Sequence, residues 1–199
     1  MRIGIIGAGS MGSAFARALA RAKIPAILSN SRGPDSLKGL VEELGSTIQA
    51  GTREEAAASD LALVAVNWSK LPAALRDLPA WNSRVVIDAN NPIEAPLFKP
   101  ANLNGRTSSE VFADLVPDAR VVKAFNHLPP AMVAGDPWAE GGRRVLFYSG
   151  NDAAANADVA ALIERLGFFG LDLGVLPQGG RLMQFPGGPL PTHNLVKFG

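Results

Sequence analysis

Six residues near the N-terminus limit this chain more than any others. Gly7-Ala8-Gly9-Ser10-Met11-Gly12 comes directly after the apolar run Arg2 to Ile6 and opens Met11 to Ala22, where Ala, Phe and Leu recur at helical spacing. A G-x-G-x-x-G pattern between a buried strand and a helix has a physical reason for each glycine. Gly7 permits the tight turn, Gly9 leaves room for another molecule to approach the backbone, and Gly12 lets helix and strand pack closely. The unpaired amides and positive end of the helix, reached through Ser10 and Met11, then suit a pyrophosphate. Alone the motif is weak, so its weight depends on the order of elements beyond it.

That order is a repeating alternation. Ala26 to Leu28 reads as a second strand, and Ser36 to Leu44 as a helix with Leu37, Leu40, Val41 and Leu44 on one face. Thr47 to Gln49 reads as a third strand. Thr52 with Glu55 three residues on resembles a capping box and starts a short helix. Leu61 to Val66 is an uninterrupted apolar run, as in a parallel strand buried on both faces. Val85 to Ile87 and Arg120 to Ala124 repeat it, with a helix from Ser108 to Leu115 between them. Arg144 to Tyr148, Ala153 to Leu166 and Gly170 to Leu173 add a strand, a helix and a strand. The pattern predicts an α/β fold with a doubly wound, mostly parallel Rossmann-type sheet and helices on both faces. From Gly174 onward the prolines and glycines argue against long regular structure. The expected organisation is a dinucleotide-binding domain over residues 1–176. An extended Pro/Gly-rich tail over 177–199 packs on that domain or on a dimer partner.

Composition removes several function classes. Nineteen Lys and Arg against eighteen Asp and Glu give a net charge of +1, and no like-charge run points to nucleic acid. The absence of cysteine excludes disulfides, thiolate metal sites and a cysteine nucleophile, and no metal site is expected. The N-terminal apolar run is too short for a signal peptide and no run approaches a membrane span. A cytoplasmic protein is the expectation.

The end of the second strand selects the cofactor. NAD-binding folds place an acid there for the ribose hydroxyls, whereas this chain has Ser29-Asn30-Ser31-Arg32. Asn30, Ser31 and Arg32 offer an amide, a hydroxyl and a guanidinium to a 2′-phosphate, which favours NADP(H). Ligands of open parallel sheets lie at the carboxyl ends of the strands. Asn67 and Trp68, then Asp88, Asn90 and Asn91, then Asn126 and His127 should therefore meet at the nicotinamide end. Trp68 reads as a ligand wall or as rim packing. Asp88 reads as a tie for the loop backbone rather than a catalytic acid. Asn126 and His127 are the candidates for a catalytic role, and His193, beside Asn194 in the tail, reads as structural.

Four stretches carry a family resemblance: Ile3 to Gly12, Ser29 to Arg32, Ile87-Asp-Ala-Asn-Asn-Pro92 and Val121-Val-Lys-Ala-Phe-Asn-His127. On these the chain resembles the coenzyme F420-dependent NADP oxidoreductases and the related reductase domain of membrane ferric reductases. The resemblance implies NADP contacts from Ser31 and Arg32, an acceptor pocket near Trp68, Asn91, Asn126 and His127, and coenzyme F420 or a flavin as hydride partner. Hydride transfer between two stacked rings needs orientation more than side-chain chemistry, which suits a chain without an evident nucleophile or acid-base pair. Two other readings stand beside it: a reductase of a small carbonyl or imine with His127 as proton donor, and a non-catalytic NADP-binding redox sensor. Leu182, Met183, Phe185 and Leu190 cannot bury themselves within a Pro/Gly-rich segment, so a homodimer with this stretch at or near the interface is expected.

Overall fold

The computed structural model describes residues 2–94 and 97–199. In chain order the elements are β1 (Ile3–Ile6), α1 (Ser10–Arg21), β2 (Ala26–Ser29), α2 (Lys38–Leu44), β3 (Ile48–Ala50), α3 (Arg53–Ala57), β4 (Leu61–Val64), α4 (Leu71–Leu75) and β5 (Val85–Asp88). There follow β6 (Ile93–Glu94), β7 (Lys99–Pro100), α5 (Ser108–Ala113), β8 (Arg120–Ala124), α6 (Pro130–Ala134), β9 (Trp138–Ala139), β10 (Gly142–Gly150), α7 (Ala153–Arg165), β11 (Phe169–Asp172) and β12 (Val196–Lys197).

The main sheet runs β11-β10-β8-β5-β4-β1-β2-β3. From β3 to β8 every neighbouring pair is parallel. β10 then lies antiparallel to β8 and parallel to β11. The late strand-helix-strand unit is thus present but enters the sheet upside down. Apolar periodicity reports burial and not strand direction, so the reversal has no signature in the sequence. β6 and β7 form a separate two-stranded ladder.

Side chains alternate between two cores, as a pleated strand buried on both faces requires. Ile3, Ile5, Leu61, Leu63, Val85 and Ile87 face a layer that includes Phe15 and Leu19 of α1 and Val159, Leu162 and Ile163 of α7. Ile6, Ala62, Val64 and Val86 face Ala56, Leu71, Leu75 and Phe112 on the other side. Phe15 meets Phe125 edge to face with centroids 4.9 Å apart, where α1 packs on α6. Both rings are fully buried, and truncating such a ring to Ala costs about 3–5 kcal/mol. This packing fixes the height of the Gly7–Met11 turn above the sheet.

Beyond β11 the chain is less extended than its prolines and glycines suggest. Leu176–Gly180 make a π-helical turn, and β12 returns to pair antiparallel with β10. Met183 is buried against Val145 and Phe147 of β10. Among the described residues, no helix is long and apolar enough to cross a membrane.

Candidate active site

The loops after β1, β2, β4, β5 and β8 open into one cleft of about 1020 Å³. Its lining includes Gly7, Gly9, Ser10, Met11, Asn30, Ser31, Arg32, Asn67, Trp68, Asn90, Asn91, Asn126 and His127. Of the residues singled out from the sequence as cofactor contacts, Gly12 alone stands back from it. The reason is steric: a Cβ on Gly12 would lie 1.8 Å from the Gly7 carbonyl oxygen, so the position holds helix and strand together.

The three glycines separate cleanly. Gly7 adopts φ +109°, and a Cβ there would meet the Ala65 carbonyl at 2.2 Å. Both the turn and its close neighbour therefore exclude side chains. Gly9 has φ −76°, which any residue adopts, and a Cβ there would meet nothing within 4 Å. The fold itself has no need of a glycine at position 9. Gly9 is the N-cap of α1, and no side chain caps the helix. The first-turn amides of a twelve-residue helix thus face the cleft with its positive end.

At the end of β2 the Asn30 side chain organises the turn. Its Oδ1 accepts from Arg32 N at 2.9 Å, and its Nδ2 donates to Ser36 Oγ at 2.9 Å. Ser31 and Arg32 are left exposed. The Arg32 guanidinium has no carboxylate partner among the described residues. Two cations that the sequence does not flag also line the cleft: Arg53, which donates to the Ala73 and Ala74 carbonyls, and Lys70 in the turn after Asn67. A lone cation in a helical or turn segment carries no signal that it faces a cleft.

Beneath the opposite end lies a buried polar network. Lys123 and Asp88 are both fully buried and 3.1 Å apart. Lys123 Nζ also donates to the Asn90 carbonyl and to Ser108 Oγ, while Asp88 accepts from Ser109 Oγ and from both the backbone and side-chain nitrogens of Asn90. Asp88 therefore ties the loop, as its residue type suggested, and Asn90 is held beneath the surface. Asn90 Oδ1 accepts from Val66 N at 2.9 Å, which couples the β4 and β5 loops. Asn91 is likewise engaged within the protein, exchanging hydrogen bonds with Asn126 and accepting from Phe185 N at 3.0 Å. Trp68 is half-buried in a 3-10 turn that Glu94 of β6 ties down through Ser69.

The tail completes this end of the cleft. Asn126 Nδ2 donates to the Met183 carbonyl and Thr192 N donates to the His127 carbonyl, which brings Phe185, Pro191 and Thr192 to the lining. Phe98, beyond β6, is a further wall, and no local pattern in the sequence marks it. Two buried polar groups remain without a partner there: Asn126 Oδ1 and both ring nitrogens of His127. Burial lowers the His127 imidazole to about 4, opposed by the nearby Val145 backbone, although neither ring nitrogen has a partner in hydrogen-bond geometry. The ring is uncharged at neutral pH and lies tilted at 47° against Phe147, with centroids 4.8 Å apart.

Comparison with known proteins agrees with this geometry. A family model described as NADP oxidoreductase, coenzyme F420-dependent, matches residues 2–92. Among solved structures, a hypothetical protein from Sinorhizobium meliloti is 45% identical with TM-score 0.93, the match covering 99% of this chain and 96% of that one. A putative F420-dependent NADP reductase from an Arthrobacter species is 28% identical with TM-score 0.74, covering 88% of this chain and 86% of that one. A reductive aminase from Aspergillus terreus, solved with NADPH and ethyl-5-oxohexanoate, is 22% identical with TM-score 0.64. That match covers 89% of this chain but 56% of the aminase, so the likeness is one of fold. No curated protein matches the chain.

Proposed function

We propose that this chain, whose residues 2–92 match the model of the coenzyme F420-dependent NADP oxidoreductases, binds NADP(H) in its cleft and passes hydride between it and a flavin-like or deazaflavin acceptor. The observation that carries the reading is the polarity of one continuous cleft. At one end an uncapped helix N-terminus and an unpartnered Arg32 stand beside a strand end without an acid. Aromatic side chains, Trp68, Phe98 and Phe185, also line the cleft.

The residues fit the cofactor. Gly9 leaves open space over the first-turn amides of α1, where the pyrophosphate would lie. Ser31 and Arg32 would hold the 2′-phosphate, and Asn30 keeps them presented by bonding the Arg32 backbone. Asn126 Oδ1, buried and unpartnered at the cleft, suits the N–H of a carboxamide. Bound NADPH supplies the hydride. The protein supplies orientation and a dry floor, formed by Leu128 and the Asn91–Asn126 pair. A route with His127 as proton donor requires a charged imidazole, which its burial disfavours at neutral pH. A cleft of about 1020 Å³ is at the upper end of single-ligand pockets, which run to roughly 1,000 Å³, and so suits two stacked ligands. The same reading takes the protein as a cytoplasmic homodimer, with the exposed Leu182 at the contact.

The test is a pair of titrations with Arg32→Ala. The expected result is a loss of about 1–3 kcal/mol in NADPH affinity, the range for a charge-assisted contact, with NADH binding unchanged. Equal losses for both cofactors would remove the NADP assignment. The acceptor is tested by mixing the protein and NADPH with F420, FMN or riboflavin and measuring the acceptor's absorbance over time. Failure of every acceptor to be reduced overturns the flavin-like part of the reading.

A further inference from the structure

At the far end of the sheet from β3, β11 pairs with β10 alone among the described residues. The phase of that ladder is set where Leu173 N donates to the Tyr148 carbonyl at 2.8 Å. Alternation along a parallel strand then turns the backbone groups of Phe169 and Leu171 to β10, and those of Gly170 and Asp172 outward. The side chains of Gly170 and Asp172 belong to the α7 face, since a Cβ on Gly170 would meet Ile163 of α7 at 3.4 Å. Leu171 lies on the other face with Phe169 and Leu173, which pack on Met183 of the tail, and it is 39% exposed. The strand carries neither the proline nor the lysine that commonly blocks an edge. Above it runs a groove of about 570 Å³, between Ala153, Ala157 and Ala160 of α7 and the chain from Asp172 to Val175. The three alanines recur at helical spacing, so this side of α7 is low and flat.

Two such edges match each other. A two-fold axis through Leu171, perpendicular to the sheet, sets the strands antiparallel, with Gly170 opposite Asp172 of the partner subunit and each Leu171 opposite its copy. This register uses both outward residues of each strand, in two hydrogen-bonded pairs about a central apolar pair. Moving the axis to Asp172 would set two carboxylates face to face, and moving it to Gly170 would leave Asp172 unpaired. With α7 packed over β10 and β11, the two copies of α7 stand about two strand spacings apart, roughly 10 Å, where helices pack on one another. We infer that β11 is the dimer edge: a second copy of this chain continues the sheet through β11 and covers the alanine groove with its own α7. A free peptide strand would take the same backbone bonds but leave the groove open. The inference rests on the homodimer reading above and names its surface. Leu182, next to the Met183 that packs with Phe169 and Leu173, stands near the same edge.

The chain has no cysteine, so a single introduced thiol reports the register without interference. Leu171→Cys sets two thiols across the axis, where the Cα atoms of a pair without hydrogen bonds stand about 4.5 Å apart, within disulfide reach. Under mild oxidation most of this variant should run as a cross-linked dimer on a non-reducing gel. Asp158→Cys, on the side of α7 that faces Arg120, should not cross-link. Two further variants test the surface by light scattering. Leu171→Lys opposes like charges at the axis and Ala157→Arg fills the groove, and each should weaken the dimer by about a hundredfold. Both positions are exposed in a single subunit, so circular dichroism and NADPH affinity should match the parent. A dimeric parent that gives no cross-link through Leu171→Cys and keeps its mass in both charged variants overturns the inference while the homodimer reading stands. A monomeric parent overturns both.

Discussion

Asn91 and Asn126 are joined by two reciprocal hydrogen bonds: Asn126 Nδ2 donates to Asn91 Oδ1 at 2.9 Å, and Asn91 Nδ2 donates to the Asn126 carbonyl at 2.8 Å. The pair bridges the loops after β5 and β8, and each member also holds the tail, Asn91 through Phe185 N and Asn126 through the Met183 carbonyl. Asn91 is therefore a keystone between loop and tail. Asn91→Ala is expected to cost about 1–3 kcal/mol, from a few lost hydrogen bonds of roughly 1 kcal/mol each. Amide exchange should quicken across residues 181–192, while NADPH affinity changes by less than about threefold. A tenfold loss of NADPH affinity with unchanged exchange in the tail would assign Asn91 to the cofactor instead.

Gly9 and Gly12 are both motif glycines, yet they are expected to fail differently. Gly9→Val places its side chain where the fold has open space, so thermal stability should hold while binding of NADPH and NADH is abolished together. Gly12→Val drives a Cβ into the Gly7 carbonyl and should lower the melting temperature before any question of binding arises. Thermal scans and cofactor titrations on the two variants check this. A folded Gly9→Val that still binds would show that the pyrophosphate lies elsewhere.

The difference between these glycines explains how far the sequence could be read. The strand-turn-helix order, the acid-free end of β2 and the Thr52–Glu55 capping box are local patterns, and the structure contains all three. A second capping box, Thr107 with Glu110, obeys the same rule and was there to be read. The contacts of Lys123 were not, because a lysine inside an apolar strand shows its partner only when Ser108, Asp88 and Asn90 converge on it in space. Phe98, Phe185 and Pro191 were hidden for the same reason. They reach the cleft through a hairpin and a folded tail, whose placement depends on long-range contacts with no periodicity to betray them.

His127 makes stability depend on acidity. Its imidazole titrates near 4 in the fold and near 6.5 when unfolded, so below about pH 6.5 the unfolded chain takes up a proton that the native chain refuses. Native stability is thus unaffected by this group above pH 6.5, falls as pH drops from 6.5 towards 4, and loses no more below that. The total loss is roughly 3 kcal/mol, because the native and unfolded chains part by about 1.4 kcal/mol for each pH unit crossed in that window. His127→Phe, which keeps a ring against Phe147, should flatten this part of the profile in chemical denaturation at pH 7, 5.5 and 4.5. An unchanged slope would show that other groups set the acid limit. The same lowered imidazole predicts that kcat shows no limb near pH 6.5 from this residue.

The tail divides its apolar side chains between two surroundings. Met183 is buried within the chain against Val145 and Phe147, whereas its neighbour Leu182 is 40% exposed. Since the fold does not bury Leu182, a charge there should be tolerated by a single subunit at a cost within about 0.5 kcal/mol, the usual range for surface changes. In a homodimer that packs Leu182 at its contact, the same charge would be desolvated without a partner and would separate the subunits. Leu182→Glu is therefore expected to unfold at nearly the parent temperature but to show half the parent mass by light scattering. Because Phe185 and Pro191 reach the cleft from the same segment, acceptor turnover in the separated subunit should fall while NADPH binding persists. A parent protein that is already a monomer, or a variant that keeps the dimer mass, would remove the dimer from the proposal and leave the tail as a wall built by each chain for its own cleft.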